Sequence, residues 1–194
     1  MGHRALVAYR RPDQRYDIRY SHWGGERVAL GEQITAETPL ADGSINPEMV
    51  GHAVSRDRIL SAYLDPCTYE RLVLVAPGED YRTTTYRVCW LEWAVSHGGC
   101  RGGIVAVDTL AVDERVRIWF QATKTTLADI VEMGALSRRA AQTYLEARVC
   151  EEEDGRAYTY GEGGVDGGEY ASPPDRRPEE ETRLSDREDV RDWW

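Results

Sequence analysis

Tyr16-Asp17-Ile18-Arg19-Tyr20-Ser21-His22-Trp23-Gly24-Gly25 decides how this chain is read. Tyr16, Ile18 and Tyr20 fall on one side of an extended backbone, Asp17 and Arg19 on the other. That two-residue period belongs to a strand with one wet face. Upstream, Ala5-Leu6-Val7-Ala8-Tyr9 is a short β run, and Pro12-Asp13-Gln14 between the two is turn chemistry. The pair predicts an N-terminal β-hairpin. Its far end packs a titratable ring, an indole and two glycines into a few residues, which makes Ser21 to Gly25 the first candidate for function.

Working outward, Glu26 to Ile34 predicts a short helix and Thr35 to Asn46 a loop. Asn46 reads as an N-cap, with Pro47 at the first helical position. Met49, Val50, Ala53, Val54, Ile59, Leu60 and Tyr63 then predict one central helix that Pro66 stops, with Gly51 and His52 inside it. Leu72-Val73-Leu74-Val75-Ala76, ended by Pro77-Gly78, predicts a buried central strand. Tyr81 to Val95 reads as a longer β segment. Gly103 to Val107 and Arg115 to Phe120 read as a third β region. Thr126 to Gly134 and Ser137 to Glu151 read as helices, with Ser137 as a cap and Ala140, Ala141, Tyr144, Leu145 and Val149 as an apolar stripe. Tyr158-Thr159-Tyr160 reads as an edge strand.

The expected fold class is α+β: a mainly antiparallel sheet with an N-terminal hairpin, one central helix and a C-terminal helical pair, plus an acidic tail. The expected division is a globular domain over 1–154 and an acidic, Gly/Pro-rich tail over 155–194 that ends in Trp193-Trp194. At 194 residues the chain can bury a real core without disulfide staples. No apolar run approaches the length of a membrane span, and no signal peptide is visible, so a cytoplasmic protein is expected.

Lys124 is the sole lysine among 24 basic residues, and the net charge is −10. Together these point to a salt-adapted, high-GC proteome, since hyperthermophile bias runs toward lysine and glutamate. The charge is unevenly placed. Residues 151–194 hold 15 of the 34 acidic but only 6 of the 24 basic residues, so they carry −9 of the −10. The body is nearly neutral. The acidic segment reads as a solvated tail or as a cover for an arginine face. Cys67, Cys89, Cys100 and Cys150 have no Cys-x-x-Cys spacing and read as reduced thiols.

Arg4-Ala5-Leu6-Val7-Ala8-Tyr9 followed by Tyr20-Ser21-His22-Trp23-Gly24 resembles an uncharacterised family of haloarchaea and their viruses. More distantly it is similar to phage-type proteins with Tyr-x-His-Trp-Asp-Gly after an N-terminal hairpin. Gly24 stands where those proteins have aspartate, so the role of that acid does not carry over. The resemblance covers about the first 25 residues and implies an origin and a recurring fold; it brings no activity.

His22 could serve as a general base or metal ligand, or simply bond a loop carbonyl while Trp23 fills the edge of the core. Gly24-Gly25 reads as a turn with positive φ, or as a close approach of backbone to a ligand. His97, in Ser96-His97-Gly98-Gly99-Cys100, is the candidate partner for His22. His97-x-x-Cys100 could offer two ligands to zinc, with the rest from His22, His52 or Cys67, but the spacing does not demand it and no metal or cofactor is expected. Cys100 and Cys67 are candidate nucleophiles for which an inert thiol is favoured. Arg4, Arg10, Arg11, Arg15, Arg19 and Arg27, among Tyr9, Tyr16, Tyr20 and Trp23, could bind single-stranded nucleic acid.

The expected function is therefore binding without catalysis, by a protein of a halophilic archaeon or its virus. The binding candidates are Ser21, His22, Trp23, Gly24, Gly25, Arg19, Trp193 and Trp194. A protein partner or self-association is expected, nucleic acid is the second candidate, and no membrane is involved. The rivals are a metal-dependent hydrolase or nuclease built on His22 and His97, and an assembly role in a virus particle.

Overall fold

The computed structural model describes residues 3–25, 30–93 and 99–161. The hairpin is formed by β1 (Arg4–Arg10) and β2 (Tyr16–Ser21), antiparallel, with Ala5 opposite Ser21 and Arg10 opposite Tyr16. The Leu72 run lies in β4 (Tyr69–Ala76), beside β1 and parallel to it. β5 (Arg82–Trp90), β6 (Cys100–Ala106) and β7 (Arg156–Tyr160) follow as antiparallel neighbours, and β3 (Gly51–Val54) edges β2. The order is β3-β2-β1-β4-β5-β6-β7, which puts β4 at the centre as its continuous apolar sequence requires. The fold is α+β on a mostly antiparallel sheet. β7 continues that sheet past residue 154. Residues 162–194, most of the expected acidic tail, lie outside the described residues, as do 26–29 of the expected short helix. Within that stretch the described Leu30 to Gln33 form a tight turn.

The central helix is shorter than its apolar spacing predicts. Residues 51–54 are strand β3, and helix α1 runs only from Arg56 to Arg58 before widening into a π turn over Ile59–Tyr63. Tertiary bonds decide this. Val50 N–H donates to Ile18 O (2.8 Å) and Ala53 N–H to Asp17 Oδ1 (3.1 Å), which draws the segment to the sheet edge. The cap is Ser55, accepting from Arg58 N–H. Asn46 caps no helix; its Oδ1 accepts from Glu48 N–H in a local turn.

Residues 115–120 are not a strand. They lie in helix α2 (Leu110–Glu132), capped by Thr109, which accepts from Val112 N–H. Arg-Val-Arg-Ile alternates for a few residues, but Val112, Val116, Phe120, Leu127 and Val131 keep helical spacing over the full length. The expected helix over 126–134 is the end of the same element. Helix α3 (Arg138–Glu151) starts where expected, with Ser137 Oγ accepting from Ala140 N–H. Its stripe is narrower: Ala141, Leu145 and Val149 are buried, whereas Tyr144 faces solvent.

One face of the sheet packs Leu6, Ala8, Leu72, Tyr86 and Ile104 against Ile59, Leu60 and Leu64. The other face is covered in two parts. Ala5, Val7, Val73 and Val75 lie under Leu30, Ile34 and Ile45, while Cys89, Val105 and Val107 lie under α2 and α3. Between these packs the cross-strand row reads Ala5, Arg71, Arg87, Val105.

Candidate functional site

The end of the hairpin is held against the loop over 43–47 by short bonds. The buried Ser21 Oγ donates to Ser44 O (2.6 Å), Asn46 N–H to Tyr20 O (2.9 Å), and Asn46 Nδ2 to Tyr20 Oη (2.8 Å). They leave a cleft of about 620 Å³ walled by Tyr20, Ser21, His22, Trp23, Gln33 and Asn46, with Gly24 and Pro47 at its edges. No carboxylate, arginine or lysine lines it among the described residues. Trp23 does not fill the core edge: it is 66% exposed, and its ring meets that of His22 edge-on, with centroids 4.8 Å apart and planes at 79°.

Gly24 and Gly25 serve close approach, not a positive φ. A Cβ on Gly24 would stand 2.5 Å from Leu30 Cδ2 and 2.7 Å from Ser21 Oγ. On Gly25 it would stand 2.5 Å from the His3 carbonyl carbon. Gly25 N–H donates to His3 O (2.6 Å), and Gly25 O accepts from Arg71 Nε (2.7 Å). The turn is thus tied to the N-terminal strand and to the interior.

The other candidates disperse. Arg19 does not line the cleft; it lies opposite Val7 on the sheet. His52 is on β3, outside any helix, with Nδ1 2.9 Å from Asp17 Oδ1. His3 Nδ1 lies 3.1 Å from Glu70 Oε1. His97, Trp193 and Trp194 lie outside the described residues. Among the described residues, no three of His, Cys, Asp and Glu gather in a group able to hold a metal ion. Cys67 Sγ stands 3.9 Å from Cys100 Sγ, and burial pushes the Cys67 thiol up to about 12. Three of the hairpin arginines are used internally: Arg10 on Glu79, Arg11 on Asp13 and Asp17, and Arg15 on Ala53 O.

One cluster was not anticipated. Asp113, on α2, accepts from Arg71 Nη2 (2.6 Å) and Arg87 Nη2 (2.8 Å) through Oδ2, and from Arg87 Nε through Oδ1. Arg71 is 1% exposed and Asp113 3%. Burial alone would raise the Asp113 carboxyl, but the bonds from Arg87 and the charges of both guanidinium groups outweigh it and hold it below the usual carboxylate range. Burial wins at Arg71, whose guanidinium is shifted down despite Asp113. A signal was available in the sequence. Arg71 is in phase with Val73 and Val75 in the strand expected to be most buried, and Asp113 is one turn ahead of Val116.

Residues 1–50 and 41–159 match the model of a family of unknown function, DUF6735. No curated protein and no solved structure matches the chain significantly.

Proposed function

We propose, for a chain that belongs to the DUF6735 family of unknown function, a non-enzymatic binding role at the cleft beneath Ser21 to Gly25. The partner is a protein segment that inserts an uncharged side chain beside Trp23, in a second copy of this chain or in another protein. One observation carries this reading: an indole 66% exposed at the mouth of a 620 Å³ cleft that, among the described residues, no carboxylate, arginine or lysine lines. Tryptophan is the residue most often found at the energetic centre of protein interfaces. Ser21 and Tyr20, fixed by the 43–47 loop, pre-form the wall, so little ordering is left to binding. Nucleic acid is the weaker fit, because phosphate recognition needs cations and Arg10, Arg11 and Arg15 are engaged within the chain. A halophilic archaeal or viral source and a cytoplasmic setting belong to the same proposal, supported by the acidity and the near-exclusive use of arginine. No helix among the described residues is long and apolar enough to cross a membrane.

The test is selection of a displayed peptide library on the full-length protein. Enriched peptides should be uncharged and aromatic at one position, and Trp23→Ala should weaken them by about tenfold or more without moving the unfolding midpoint. Peptides that bind equally well to the wild type, Trp23→Ala and Asn46→Ala would remove the cleft from the reading. Metal-dependent phosphodiester hydrolysis that disappears in His22→Ala and His97→Ala would favour the hydrolase or nuclease instead.

A further inference from the structure

We propose that the groove between α2 and the β4–β5 strands is a second binding site, for a small anion bearing two or more carboxylate or phosphoryl charges. It is separate from the hairpin cleft.

The first ground is packing. A helix laid on a sheet normally presents an apolar stripe. α2 does so through Val116 and Leu127, but its neighbouring face offers Arg117, Gln121 and Lys124 around Phe120. A groove of about 500 Å³ remains there, floored by Arg87 and flanked by Glu70. An open groove of this volume, with charged side chains set among Val88, Cys89 and Phe120, has the mixed lining of a small-ligand site.

The second ground is charge. Among the described residues that line the groove, Arg87, Arg117 and Lys124 stand against one carboxylate, Glu70, in a protein whose net charge is −10. Arg117 is exposed and makes no ion pair with any described residue. Deeper in, two guanidinium groups share one carboxylate, and Nη1 of the fully buried Arg71 has no hydrogen-bond partner. An unbalanced buried cation is costly, and an anion beside Arg87 would reduce that cost.

The third ground is Lys124. The chain uses arginine at every other basic position. At 124 a compact ammonium donates to Trp90 O (2.7 Å) and stands 4.3 Å over the Trp90 ring. One of its three N–H groups is spent on the carbonyl, and the head is left beside the groove.

The experiment is calorimetric titration of the desalted full-length protein with citrate and, separately, pyrophosphate at low ionic strength. One saturable site is expected for at least one probe, and the preferred probe tells carboxylate from phosphoryl chemistry. Arg117→Gln should weaken binding about tenfold with an unchanged unfolding midpoint, because a charge-assisted contact is lost and no internal pair is broken. Lys124→Gln should weaken it too. Arg138→Gln, an exposed arginine on α3, should leave the affinity unchanged. Absence of saturable binding by both probes overturns the proposal. So does equal weakening by Arg117→Gln and Arg138→Gln, which would reveal only the general field of the surface.

Discussion

The Arg71 guanidinium donates to Asp113 Oδ2 over 2.6 Å where the two apolar packs on one sheet face meet. The same side chain reaches Gly25 O through Nε. It therefore connects helix α2, the central strand and the turn that ends the hairpin. Removing the carboxylate would strand two cations in the interior. Asp113→Asn should cost about 3–5 kcal/mol, the usual penalty for breaking a buried pair from one side. Replacing all three groups by apolar ones (Arg71→Met, Asp113→Leu, Arg87→Leu) should cost far less. Urea denaturation of the two variants checks this, and a single substitution that costs under about 1 kcal/mol would contradict the assigned balance.

The same carboxylate sets a pH dependence. Its folded-state pKa lies below that of the unfolded chain, about 3.9 for an aspartate. Its contribution is thus fully present above that value and is lost as the pH falls through the folded value. Wild-type stability should decline through this acid window, and Asp113→Asn should decline less steeply there. Asp17 and Glu146 are shifted in the same direction and remain in the variant, so the difference between the two curves is what counts. Parallel curves would show that Asp113 is not held ionised by its partners.

Gly25 and Trp23 separate what the hairpin end does for folding from what it does for binding. Gly25→Ala forces a methyl group onto the His3 backbone and disturbs the bond to Arg71, so it should destabilise by about 1–3 kcal/mol, as overpacking commonly does. Trp23→Ala removes an exposed ring and should stay within about 0.5 kcal/mol. Thermal unfolding of the two variants decides. A large loss at Trp23 would make the indole a structural group.

The hairpin, the central strand, the edge strand at Tyr158 and the start of α3 were legible because each carries its signal within a few residues: alternation, a closed apolar run, a serine cap. The segment over 46–66 was not. Its apolar spacing suits a helix, and only bonds to Ile18 and Asp17, distant in sequence, turn its first half into a strand. Arg115 to Phe120 failed for the opposite reason: a short window matches the strand period while the longer one matches the helix. At the site, Ser21 to Gly25 could be singled out by composition. For the Arg71–Asp113–Arg87 cluster the phase of Arg71 with Val73 and Val75 signalled burial, but the pairing itself was not legible, because its members lie on three separate elements.

Cys67 and Cys100, not joined in a disulfide, sit with their sulfurs 3.9 Å apart although Cys67 is exposed and Cys100 buried. A disulfide needs sulfurs about 2.05 Å apart, so closure asks for a small shift of each side chain. Cys67 should be a sluggish nucleophile, because burial, then Asp65 and Cys100, hold its thiol at about 12 and leave almost no thiolate near neutrality. Iodoacetamide at neutral pH should therefore label Cys67 slowly despite its exposure. A thiol oxidant such as diamide should still join Cys67 to Cys100, each losing one hydrogen to the reagent. The bridge would close a loop running from one residue to the other and stabilise the fold by roughly 3–4 kcal/mol if the chain relaxes without strain. Peptide mass mapping after oxidation reads the pairing, and urea unfolding with and without reductant reads the gain. A crosslink through Cys150 between molecules, with Cys67 and Cys100 still free, would show that the two sulfurs are not in reach of each other in solution.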